Sequence, residues 1–180
     1  MTQVQLKVRL WQIIAVVTLG VAGTACEGGG EPTDIAPLGA LFICDDPIDV
    51  LQEVPDGYVT VADVVALPGN GDILQRGRTG TDYDPESLYT FSKMGLLLRP
   101  GATFQVHVAP NSQPNALIEW SIEDELLVDA ITVSSCPGDA NDWLVHPGGV
   151  WTLEPACVEL IVITAEETET IRLPVGIPCS

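Results

Sequence analysis

Thr103-Phe104-Gln105-Val106-His107-Val108 alternates strictly, with Phe104, Val106 and Val108 on one side of an extended chain and Gln105 and His107 on the other. A period of two marks a half-buried strand, because successive side chains of a pleated backbone point to opposite faces. Ile118, Trp120 and Ile122 alternate with Glu119 and Ser121 in the same way, and Ile171, Leu173 and Val175 alternate with Thr170, Arg172 and Pro174. Residues 58–67, 126–134 and 158–164 are β-branched, apolar runs, and 143–146 and 150–153 extend the series to eight strands. Pro100-Gly101, Pro110-Asn111, Pro137-Gly138 and Pro147-Gly148-Gly149 break the runs with turn chemistry. Short strands so spaced predict an all-β fold, an immunoglobulin-like antiparallel β-sandwich. One short helix is expected from Asp84, an N-cap, with Pro85 at the first helical position and Glu86 in the first turn, ending at about Lys93.

The rest of the chain bounds the number of domains. Of 180 residues, 46% are apolar, enough for one core. No heptad, fixed-period repeat or second long apolar run appears, which argues against a coiled coil, a solenoid and a second membrane span. The sequence divides into a leader over 1–25, a tether over 26–43 and a β-sandwich domain over 44–180.

The leader carries Lys7 and Arg9, no acid, and an apolar run over residues 10–25. That is the layout of a signal peptide, and the run is shorter than the roughly 20 residues a spanning helix needs. Gly23-Thr24-Ala25-Cys26, followed by Glu27-Gly28-Gly29-Gly30-Glu31-Pro32, resembles a bacterial lipoprotein signal, with Gly23 where that signal usually has a larger aliphatic residue. The resemblance implies cleavage before Cys26, a diacylglyceryl and palmitate anchor on that cysteine, and residence on the outer face of the cell membrane. Simple secretion after cleavage at the same bond and an uncleaved anchor are the alternatives.

Removing the leader leaves 25 acids against five bases, a net charge of −20. So acidic a surface repels phosphate backbones and anionic headgroups, which excludes nucleic acid as a partner and leaves the lipid to hold the protein at the membrane. Five cysteines is an odd number for an oxidising compartment. With Cys26 lipidated, Cys44, Cys136, Cys157 and Cys179 form two disulfides out of three possible pairings. The favoured pairing is Cys136 with Cys157 and Cys44 with Cys179.

Few side chains offer chemistry. His107 and His146 have no nucleophile motif near them and read as ordinary surface or turn residues. Asp45, Asp46 and Asp49, then Asp82, Asp84 and Glu86, then Glu123, Asp124 and Glu125, and finally Asp139, Asn141 and Asp142 could each offer oxygens to calcium, yet none matches an EF-hand loop, and solvated loops explain them more simply. No catalytic residue, cofactor or metal ligand is assigned. Trp143 and Trp151 flank Pro147-Gly148-Gly149 between Cys136 and Cys157, either packing in the core against a disulfide or presenting an aromatic edge to a partner.

Phe91-Ser92-Lys93-Met94-Gly95-Leu96-Leu97-Leu98-Arg99-Pro100-Gly101 continues to Trp120, Cys136-Pro137, Trp143-Leu144, Pro147-Gly148-Gly149-Val150-Trp151, Pro155-Ala156-Cys157-Val158 and Val175-Gly176 with Cys179. As a set these resemble a family of uncharacterised exported proteins from actinobacteria, over about residues 58–180. The resemblance implies export and a β-rich fold and brings no activity with it. The functional expectation is a membrane-anchored, non-catalytic binding or structural module for an envelope protein or glycan. The rival is an envelope glycan hydrolase with paired carboxylates, such as Glu123 and Glu125, as acid and base.

Overall fold

The alternation of residues 103–108 is realised in a computed structural model as a strand at the centre of a five-stranded sheet. The structure describes residues 39–44, 47–69, 71–80, 86–122 and 126–180. In chain order the strands are β1 (Ala40–Leu41), β2 (Asp49–Leu51), β3 (Tyr58–Val61), β4 (Val65–Pro68), β5 (Thr90–Lys93), β6 (Leu96–Leu98), β7 (Thr103–Val108), β8 (Ala116–Trp120), β9 (Ala130–Ser134), β10 (Trp143–His146), β11 (Gly148–Thr152), β12 (Ala156–Ile163) and β13 (Thr168–Val175). The first sheet has the order β1-β9-β7-β12-β13, the second β2-β10-β6-β4-β3 and the third β5-β11-β8. Pairing is antiparallel except between β1 and β9.

The second and third sheets share strands that run on from one to the other. β5 leads into β6 across Met94-Gly95, β10 leads into β11 across Pro147, and the two stretches pair antiparallel on both sides of the break. The Met94 N–H donates to the Gly148 carbonyl at 2.9 Å across the kink. Gly148 and Gly149 therefore belong to a strand and not to the turn expected there. A Cβ on Gly148 would stand 2.2 Å from the Glu119 carbonyl oxygen, and one on Gly149 2.2 Å from that of Ser92, so only glycine lets the strands close at this corner.

Each sheet gives one face to a common core. Phe104, Val106, Leu160, Ile171 and Leu173 come from the first sheet, Leu67, Leu96 and Leu98 from the second, and Ile118, Trp120 and Val150 from the third, all nearly inaccessible to water. Each such side chain contributes about 1.5–3 kcal/mol through burial. The strict alternation at β7 and β13 is thus the imprint of a buried inner face.

Several expectations change. Among the described residues there is no helix: Thr90–Lys93 is strand β5, and the Asp84-Pro85 start lies outside the described residues. Thr90 and Ser92 are buried while Lys93 is exposed, which is the period-two burial of a strand. The apolar run over 58–67 is a hairpin, β3 to β4, reversed at Ala62-Asp63 with both φ angles positive (47° and 53°). The register pairs Val61 with Val65, so the loop is the three residues 62–64, and its positive-φ positions use no glycine, so the usual signal was absent. Ahead of Cys44, Ala40–Leu41 forms β1 and Phe42 is only 4% exposed.

Both disulfides are present, with pairings that differ from the favoured one. Cys44 joins Cys136 and Cys157 joins Cys179. The reason is topological: β1 lies beside β9, so the residues that follow those strands, Cys44 and Cys136, meet with Cα atoms 5.3 Å apart. Cys157 stands opposite Pro174 in the β12–β13 pair, and the chain beyond β13 folds Cys179 back to it. Residues 1–25, Cys26 and most of the tether lie outside the described residues.

Candidate functional site

The kinked β10–β11 stretch carries the two tryptophans singled out by sequence, and it sends them to separate sheets. Trp143 lies on the outer face of the second sheet, 2% exposed, packed with Ala66 and Leu97. The Arg99 guanidinium sits over its ring at 4.2 Å, donates to the Asn141 carbonyl at 2.6 Å and lies 3.5 Å from the Asp63 carboxylate. Trp151 lies on the outer face of the third sheet, 1% exposed. Phe91 packs against it with ring centroids 4.8 Å apart, Arg78 lies 5.8 Å above it, and its indole N–H donates to Glu119 Oε2 at 2.6 Å. Both rings are thus held under an arginine, and neither offers its edge to solvent. Cation–π contacts of this kind contribute about 0.5–1 kcal/mol each at partly exposed sites. Trp120 supplies the core tryptophan, with its N–H donating to the Met94 carbonyl at 3.3 Å.

The histidines have different surroundings from those expected. His146 is buried rather than at the surface, its ring edge-on to Phe42 at 4.9 Å. His107 is half-buried on the outer face of the first sheet, with Nε2 3.0 Å from Gln105 Oε1. Burial pushes its pKa below the ordinary value of 6.5, and the Asp129 carboxylate partly restores it. Tyr58 is shifted up from 10.0 because burial disfavours the phenolate, a shift that an N–H bond from Gly95 opposes.

No family model, curated protein or solved structure matches this chain. The site must therefore be argued from its own residues. Asp139, Asn141 and Asp142 are tied up locally: Asp139 Oδ1 accepts from the Asn141 N–H and side-chain amide, both at 2.9 Å, and Asp142 accepts from Gln52 at 2.7 Å. The two Asn141 bonds hold the Asp139 carboxyl below its ordinary 3.8. Among the described residues no group of three His, Cys, Asp or Glu side chains is placed to hold a metal. Asp45, Asp46, Asp82, Asp84 and the Glu123-Asp124-Glu125 run lie outside the described residues.

A concavity of about 530 Å³ opens between the start of β1 and β8. Gly39, Ala40, Leu117, Leu127 and Val128 give it apolar walls, with Asp129 and Gln113 as polar groups. Sequence reading missed it because it forms where the entering chain lies beside strands some 80 residues away, and no local pattern encodes that.

Proposed function

We propose that this chain is an extracytoplasmic lipoprotein, held on the outer face of the cell membrane by a lipid on Cys26. Its folded part is read as an immunoglobulin-like β-sandwich that serves as a non-catalytic binding or structural module, in line with the actinobacterial exported family it resembles. The observation that carries the reading is the cysteine pairing. Two disulfides consume Cys44, Cys136, Cys157 and Cys179, which fits an oxidising compartment and leaves, of five cysteines, the one that follows the leader. The start of β1 at Ala40 places a short Gly- and Pro-rich stretch between Cys26 and the first strand, a fitting length for a tether. The common core of all three sheets supports the sandwich, and the arginine-covered tryptophans and the cleft beside β1 support a surface that holds shape without chemistry.

The test is Cys26→Ser. The expected outcome is release of processed protein into the medium, or accumulation of unprocessed precursor, read by fractionation and mass. A fully processed Cys26→Ser protein that still partitions tightly into membranes would refute the anchor.

A further inference from the structure

The free edge of the first sheet carries a second kind of site. Leu74 runs beside the end of β13: its N–H donates to the Pro174 carbonyl at 2.7 Å, and the Gly176 N–H donates to the Leu74 carbonyl at 3.0 Å. Those two bonds fix which residues of β13 face outward. Backbone groups alternate in direction along a strand, and the β12–β13 register is unbroken, so Arg172, Thr170 and Thr168 also aim their N–H and C=O away from β12. Among the described residues none of these groups has a backbone partner.

The edge of β3 stands across a narrow gap of about 140 Å³ lined by Val59, Gly69, Glu169, Thr170, Ile171 and Arg172. The Gly69 N–H donates to the Gly57 carbonyl at 2.8 Å, which turns odd-numbered β3 residues toward β4 and leaves the Thr60 backbone facing out. Val59 shares its face with Leu67 and so points toward the core, yet it is 38% exposed. The two edges are tied at one end, where the Ala62 N–H donates to the Glu167 carboxylate just ahead of β13. The gap is a slot with an apolar floor and two hydrogen-bonding walls.

Charge decides what fits the slot. Glu166, Glu167 and Glu169 are exposed around the edge, while Arg172 is engaged by Glu159 at 3.7 Å and by the Ser180 carbonyl at 2.8 Å. A second copy of a chain with net charge −18 is repelled there, and the inward-side Glu169 also guards the edge against self-pairing. We propose that the β13 edge, residues 168–172, docks an extended, lysine- or arginine-bearing segment of a partner protein as an added strand. Main-chain bonds to Thr168, Thr170 and Arg172 supply affinity, apolar side chains of the segment rest on the exposed part of Val59, and its basic side chains meet the glutamates. This deepens the binding-module reading and rests on it, but it is tested without reference to the anchor.

The probe is an alternating lysine–valine heptapeptide titrated into the full chain in detergent, with amide exchange at Thr168, Thr170 and Arg172 as the readout. Saturable binding that slows exchange at those amides, and that the glutamate–valine counterpart does not reproduce, is expected. Methylating alternate peptide nitrogens should weaken binding about tenfold, the equivalent of about 1.4 kcal/mol lost from the ladder. Thr170→Pro should do the same, since it removes an outward N–H and spares the β12 ladder. Absence of binding, equal binding of the acidic peptide, or indifference to N-methylation would each overturn the proposal. So would exchange protection at these amides that grows with protein concentration alone, because the edge would then belong to a second copy. The N-methylated series decides the matter if Thr170→Pro does not fold. Failure here leaves the Cys26 test standing.

Discussion

Trp120 and Trp151 sit on neighbouring strands, β8 and β11, and both are buried, yet they are buried by different means. Trp120 points into the common core among aliphatic side chains and satisfies its one polar atom with a backbone carbonyl. Trp151 points the other way and is covered by Phe91 and Arg78, with Glu119 on its N–H. Trp143 on the second sheet follows the second pattern, with Arg99 as its cover. The inner layer is closed by apolar packing, whereas on the outer faces arginine guanidinium groups lie over the rings. The difference teaches that low exposure at an outer face depends on charge placement as well as on shape.

Substitutions can break or sharpen that contrast. Trp120→Ala should have the largest effect, about 3–5 kcal/mol by denaturant melting, from lost transfer energy and the cavity left behind. If it costs no more than an outer-face change, the contrast fails. Trp151→Phe keeps most of the ring area but removes the indole N–H that donates to Glu119, and about 1 kcal/mol is expected. A cycle with Glu119→Gln should show that much of this cost is shared between the two positions. Arg99→Ala should cost about 1 kcal/mol through the Trp143 ring contact and the Asn141 carbonyl bond, with little from the exposed Asp63 pair. Added salt should leave that cost nearly unchanged if the ring contact dominates.

The smallest effect concerns pH. His107 has a folded pKa below 6.5, so as pH falls the unfolded chain takes up the proton first. Stability is therefore full above about pH 7 and declines as pH drops through 6.5 toward the lowered folded value. His107→Gln should flatten that decline in a series of melts; a decline of the same size in the variant would assign it to other groups.

Much of the fold was legible because alternation encodes burial directly. β7 was read to the residue and the inner faces of β8 and β13 were read correctly with bounds two residues off, since each has one face in the common core and one outside. The 90–98 stretch was not, because Leu96, Leu97 and Leu98 are buried on both faces and show no period, while Asp84-Pro85-Glu86 reads in sequence as a helix start. The 58–67 run hid a hairpin behind a turn of Ala62 and Asp63. The presence of two disulfides followed from cysteine number and compartment, but their pairing depends on β1 lying parallel to β9, a long-range contact that no local signal announces. The outer-face clusters were invisible for the same reason: Arg99 meets Trp143, and Glu119 meets Trp151, only across sheet registers.

The Cys44–Cys136 bridge has a mechanical consequence. A pull applied to Gly39 would first load β1, which has only two rungs on β9. Were those rungs to peel, the chain would pay out only from Gly39 to Cys44, roughly 17 Å at full extension. Beyond that point the load passes through a covalent bond into the end of β9 and the middle of the first sheet. The bridge acts as a hard stop, so that a pull at the first strand slackens a few residues and leaves the rest of the sheet folded.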